Sequence, residues 1–411
     1  MVALRRSWIS VIIVAIVNPF YGLPGGVRKS FASGVDCSCT PWAGIYPTVV
    51  MPFCHDGQID APSLERQIHF QVRGGVRGVL VLGTIGEGEY ASLGERSQVI
   101  ATAVRAAGPS VPVVVGIHTC KLDCAAIQVN QAKELGAAAV LVKFIGKPQA
   151  SAAEVLGFYS ALCDMSPLPI FYYHYPSETK LRLRAQDVAH ILCLPGVVGI
   201  KESTLNLREV RDHICLTRGQ GKTFLSGTAL NLTQFMDLGG HGAMCPEALL
   251  LPGPTVQAFG AYRRGCRDEA RSIQSEFFEM MPILRARPTP PAMARLMLTS
   301  AQDHMMPVPM GKDQPQARLK AALNFMDLPT PVCVKCPLPP LTAHDQKQVE
   351  SAVSRLVSID WCGAAMKVPP VPLHRCAGED NGVLLRTGSF QLGPGVGRDM
   401  LRSQGDGEWG F

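Results

Sequence analysis

Eight short, apolar, β-rich runs recur along this chain at intervals of about twenty to thirty-odd residues, and no other feature constrains the fold as tightly. The runs are GIYPTVV (44–50), GVLVLG (78–83), VPVVVGI (111–117), AAVLVKF (138–144), LPIFYYH (168–174), GVVGI (196–200), KTFLSG (222–227) and GAMC (242–245). Helical stretches lie between them. APSLERQIHFQVRGG, LGERSQVIATAVRAAG and CAAIQVNQAKELG each end in glycine, which stops a helix at little steric cost. One strand with its crossover helix takes about thirty residues. An open doubly wound sheet would also alternate, but eight continuous units favour closure, so the expected fold is α/β, a (β/α)8 TIM barrel.

The barrel is expected over 44–282, followed by a C-terminal helical extension over 283–357. There ARPTPPAMARLMLTS and QPQARLKAALNFMDL carry apolar stripes, and a Pro-rich link leads to a last helix with Thr342 as its N-cap. Residues 358–411 lose all periodicity, are rich in Gly and Pro, and read as a flexible tail. Residues 1–43 stand apart. Arg5 and Arg6 precede an apolar run from Trp8 to Val17, broken by Asn18 and Pro19, and a basic, acid-free stretch follows. That resembles a signal or transit segment, implying export or an organelle; without it the chain would be cytoplasmic. Ten apolar residues are too few for a stable membrane span.

Composition narrows the function classes. Hydrophobic residues at 47% and charged residues at 18% exclude general disorder. A net charge of +6 spread over 411 residues, with no run of Lys and Arg among aromatics, argues against nucleic-acid binding. The fourteen cysteines are scattered through apolar or helical contexts, as buried free thiols usually are. HTCKLDC (His118, Cys120, Cys124) and CVKC (Cys333, Cys336) each lack the second half of a four-ligand zinc site, so no metal is expected.

In PGVVGIKEST, Lys201 closes the sixth apolar run. A lysine there either snorkels to water or is desolvated, with a lowered pKa, as an amine nucleophile. Barrel chemistry gathers at the C-terminal ends of the strands. Tyr173 and His174 end the fifth run and Gly83 to Glu87 end the second, so groups from three strands would share one mouth with Lys201. The GTIGEG run has the wrong spacing and setting for a dinucleotide loop.

These residues resemble a known family. YPTVVMPFCHDGQID, GVRGVLVLGTIGEGEYASLGERSQVI, PIFYYHYPSET, GVVGIKEST, FMDLGGHGAM and KCPLPPLTAHD follow, in order, the pattern of the dihydrodipicolinate synthase and N-acetylneuraminate lyase family, over roughly residues 44 to 357. The resemblance implies a class I aldolase or lyase whose Lys201 forms a Schiff base with pyruvate or a related 2-oxo acid. That covalent imine would take the place of any cofactor. Small-molecule partners are then a 2-oxo acid and an aldehyde, and a homo-oligomer, tetramer or dimer, is implied. Tyr173 would shuttle protons, its plain alternative being a ring that caps the core. The Thr84 and Ile85 amides beside Gly83 would hold the substrate carboxylate, with the Thr84 hydroxyl relaying protons. Gly227 and Met244 match positions near the oxo acid, while His174 is either a base or part of the pocket wall. Glu87 is expected to brace its loop.

This chain departs from the pattern at three places. Ile85 stands for the family's second threonine. KFIGKP (Lys143 to Pro148) lacks the tyrosine that would complete a relay from a neighbouring subunit. Glu178 occupies the position of an arginine that binds a second carboxylate in dihydrodipicolinate synthases, and it would repel such a group. Three readings follow: carbon–carbon bond formation or cleavage of the dihydrodipicolinate synthase kind, an aldolase or dehydratase for sugar-derived 2-oxo acids, or a non-catalytic barrel serving as a binding scaffold.

Overall fold

A computed structural model describes residues 40–54, 56–204, 206–284 and 315–361. The targeting segment, the ARPTPPAMARLMLTS helix and most of the flexible tail expected from sequence lie outside the described residues. Eight strands are present: β1 Gly44–Pro47, β2 Val79–Val81, β3 Val113–His118, β4 Ala139–Lys143, β5 Ile170–His174, β6 Val197–Glu202, β7 Thr223–Ser226 and β8 Gly242–Cys245. Each falls within, or just beyond the end of, one of the eight apolar runs. All pair in parallel in the order β1-β8-β7-β6-β5-β4-β3-β2. Thr48 bridges Leu80, and the Val49 N–H donates to the Leu80 carbonyl at 2.9 Å, which joins β1 to β2 and completes the barrel.

Side chains alternate between two faces along each strand. Tyr46, Leu80, Val114, Leu141, Phe171, Tyr173, Leu225 and Met244 pack together inside the barrel. Val79, Val115, Val142, Ile170, Tyr172 and Ile200 face outward into the shell of helices. The strands are buried on both sides, which is why they read as unbroken apolar runs. The helices start where their caps dictate: Ser92 with Glu95 and Ser151 with Glu154 form reciprocal capping boxes.

Helices Gln316–Phe325 and Ala343–Val357 pack on the barrel through a second cluster that includes Leu319, Leu323, Val353 and Leu356. Thr342 caps the latter helix, accepting from the Asp345 N–H at 3.1 Å. Among the described residues, no helix is long and apolar enough to cross a membrane.

Candidate active site

Strand alternation sends Tyr173 on β5 and Lys201 on β6 into the barrel mouth, and the two are paired in register. The Lys201 Nζ lies 4.6 Å from the centre of the Tyr173 ring. Both side chains are buried. Burial lowers the Lys201 pKa to about 8; the Lys143 charge acts the same way, while Cys245, Glu178 and Glu247 oppose it. The same burial drives the Tyr173 pKa well up, with Tyr175 and Glu178 adding to it and the Ser203 and Thr84 hydroxyls opposing it. A partly neutral amine therefore sits beside a protonated phenol. Tyr175, which the sequence reading passed over, stacks on Tyr173 at 5.6 Å.

The loop after β2 supplies Gly83, Thr84 and Ile85. The Thr84 carbonyl accepts from the Gln316 Nε2 at 3.1 Å, and Ile85 leans on the second apolar cluster. Among the described residues, the Thr84 and Ile85 amides donate to no protein acceptor, so two successive N–H groups remain for an anion. Gly88 makes this turn feasible, because a Cβ there would lie 1.9 Å from the Leu82 carbonyl oxygen. Gly227, after β7, packs so closely on Ser203 that a Cβ would come within 2.2 Å of its hydroxyl. Met244 lies on the inner face of β8 beside Tyr46.

Glu87 braces the loop, as expected. Its carboxylate accepts from the Lys320 Nζ at 2.5 Å and from the Lys335 N–H at 2.7 Å, and both members of the Glu87–Lys320 pair have fully buried side chains. Burial raises the Glu87 pKa against the pull of Lys320. Lys320→Met is expected to cost about 3 kcal/mol of stability, because a buried carboxylate would lose its charge partner. The double variant with Glu87→Gln should recover part of that loss, and urea unfolding of the two proteins checks both.

His174 does not join the mouth. It follows Tyr173 by one residue, so its ring lies on the opposite, outer face of β5. There its Nδ1 pairs with the Tyr172 hydroxyl at 3.1 Å and its Nε2 with Glu209 at 3.0 Å, against helix Leu207–Leu216. Its pKa is raised: burial opposes the charged form, but Glu202 and Glu209 outweigh it. His213 adds a bond from its Nδ1 to Glu202 at 2.9 Å. His174, Glu209 and His213 hold three donor atoms within 4.8 Å of one another, the one such group among the described residues. Cys120, Cys124, Cys333 and Cys336 are free thiols, and the His118 Nε2 bonds to the Leu82 carbonyl at 2.9 Å.

The structure adds a residue that sequence reasoning missed. Lys143, at the end of β4, has a fully buried side chain on the inner face. Its Nζ donates to the Thr84 hydroxyl at 3.2 Å and to Glu178 Oε1 at 2.8 Å, and lies 3.7 Å from Glu89. Glu178 is thus not a bare carboxylate but one half of an ion pair. The signal was available, since Lys143 interrupts the apolar run AAVLVKF before Phe144, much as Lys201 breaks off GVVGI.

Known proteins resemble this chain in sequence and in fold. Residues 41–312 match the model of the dihydrodipicolinate synthetase family. The 4-hydroxy-tetrahydrodipicolinate synthase of Methanospirillum hungatei is 29% identical over 294 residues, 69% of this chain and 99% of that protein. The same enzyme of Methanosphaerula palustris is 32% identical over 247 residues, 59% of this chain and 83% of its own. Among solved structures, the dihydrodipicolinate synthase of Bacteroides thetaiotaomicron superposes with a TM-score of 0.67 at 24% identity, covering 77% of this chain and 99% of that one. A prophage protein of the dihydrodipicolinic acid synthase family from E. coli K12, solved in complex with pyruvate, gives 0.66 at 23%, with 77% and 99% covered. These structural likenesses establish the fold.

Proposed function

The chain belongs to the dihydrodipicolinate synthetase family, whose members are lyases of the class I aldolase type, and from that premise we propose that Lys201 forms an imine with pyruvate or a related 2-oxo acid. The observation that carries this reading is the buried Lys201 amine 4.6 Å from the Tyr173 ring. The neutral amine attacks the C2 ketone, and the carbinolamine, protonated on its hydroxyl, loses water to leave a protonated imine. That cation draws the electrons of a C3–H bond, and the released proton leaves an enamine. The enamine carbon then bonds to an aldehyde carbon, whose oxygen takes up a proton. Water finally cleaves the imine and frees Lys201. Run backwards, the same steps cleave a carbon–carbon bond. Tyr173 is the group placed to give and take these protons, with Thr84 beside it. The paired amides of Thr84 and Ile85 receive the substrate carboxylate.

Borohydride reduction in the presence of pyruvate, followed by peptide mass analysis, tests the reading. A stable adduct on the Lys201 peptide is expected. A folded protein that traps no 2-oxo acid would overturn it in favour of a binding scaffold.

A further inference from the structure

The imine chemistry uses one of the two buried lysines at the barrel mouth and leaves the other, Lys143 on β4, without a task. Its Nζ lies 5.9 Å from the centre of the Tyr173 ring, against 4.6 Å for the Lys201 Nζ. It donates to the Thr84 hydroxyl at 3.2 Å and to Glu178 Oε1 at 2.8 Å. The Thr84 hydroxyl, like that of Ser203, is in turn hydrogen-bonded to the Tyr173 phenol. An unbroken line therefore runs from Tyr173 through Thr84 to Lys143. Beyond it, Glu178 and Glu89 both lie within 4 Å of the Lys143 Nζ and keep 28% and 34% of their side chains exposed, so the line reaches water. Donor counting sets its direction. An ammonium group only donates, so the Thr84 oxygen accepts from Lys143, and its single proton stays available to the Tyr173 oxygen.

Resting on the imine reading above, we propose that Lys143 is the solvent-side end of a proton relay that reaches Tyr173 through Thr84 and lies wholly within one chain. Lys143 acts through these two residues and not on the substrate itself. When Tyr173 has given up its proton, the Thr84 O–H bond breaks toward the phenolate as a Lys143 N–H bond breaks toward Thr84. Lys143 is left neutral, and a proton from water, passed along Glu178 or Glu89, restores its charge. In reverse, a Lys143 that has given a proton to water takes one from Thr84 as Thr84 takes one from Tyr173. That carries the proton removed from C3 out to solvent. Only protons move, and each group ends as it began, so Tyr173 can start every step in the protonation state the step needs. Lysine is suited to the place because its amine can release a proton. An arginine could keep the charge and the donated bonds but would never let a proton go.

Two variants of the full chain, Lys143→Arg and Lys143→Met, test this with pyruvate and two readouts. One is the fraction of protein trapped by borohydride on the Lys201 peptide. The other is exchange of the pyruvate methyl protons with D₂O, followed by NMR and divided by that fraction, so that only the proton path is compared. Arginine keeps the charge beside Lys201, so trapping is expected to follow wild type while exchange per trapped imine falls about 10²-fold, the lower end of the range for a positioned acid–base group. Methionine removes the charge as well as the relay, and exchange per trapped imine is expected to fall as far. If Lys143 only neutralised its two carboxylates and held Thr84 in place, arginine would exchange as wild type does, and that result would overturn the relay. Exchange per trapped imine within a few-fold of wild type in the methionine variant would overturn it equally, whatever the arginine variant does. A wild-type protein that traps no pyruvate is a different result: it would remove the imine reading, and the relay with it.

Discussion

Replacing Lys201 by methionine or arginine is expected to eliminate the pyruvate adduct and to lower kcat/KM by about 10⁵-fold or more, the scale on which enzymes lose their nucleophile. Neither replacement can form an imine. Methionine retains the length and apolar stem within the barrel, so the fold should persist; arginine keeps the charge but not a titratable amine. The wild-type pH profile should show the same group. Attack needs the neutral amine, and burial has lowered the Lys201 pKa to about 8. At pH 7 roughly one molecule in ten is then reactive, against roughly one in three thousand for an ordinary lysine. The initial rate of trapping should therefore rise with pH, turn over near 8 and level off above it. Trapping followed by mass spectrometry across pH 6 to 10 checks this. A rate still climbing steeply at pH 10 would mean that Lys201 is solvated and unactivated.

The fold was legible because a parallel strand covered on both faces has to be a continuous apolar run, and eight of them leave little choice of topology. Lys201 was legible for a related reason: an ammonium group breaking such a run stands out. Lys143 breaks its run in the same way, yet KFIGKP drew notice for the tyrosine it lacks. What gives Lys143 its meaning is Glu178, 35 residues further on, and Thr84, 59 residues back, and no local pattern contains either pairing. His174 was read beside Tyr173 because the two are adjacent in sequence. Adjacency in a strand places two side chains on opposite faces, so strand parity alone sets His174 against helix Leu207–Leu216. Glu87 shows the other limit: a bracing role could be expected, but its partner Lys320 lies 233 residues away on a helix that has to dock before the loop is held.

Tyr173→Phe is expected to lower kcat by about 10²- to 10⁴-fold, the range for loss of a positioned general acid–base group. This substitution separates chemistry from packing. The ring that lies against Lys201 and stacks on Tyr175 is kept, and only the hydroxyl is removed. If the ring were simply a cap on the core, the variant would behave almost as wild type. Losing one buried hydroxyl beside Thr84 and Ser203 should cost only about 1 kcal/mol of stability. The effect should therefore fall on the proton transfers: imine with pyruvate should still accumulate and be trapped, while exchange of the pyruvate methyl protons with D₂O, followed by NMR, should slow along with kcat. Slow exchange with intact trapping is a combination that a packing defect does not produce, since a loosened Lys201 would lose its low pKa and its trapping together. Exchange and kcat within a few-fold of wild type would instead place the proton shuttle on another group at the mouth, and Lys143, hydrogen-bonded to the same Thr84 hydroxyl, would be the next residue to replace.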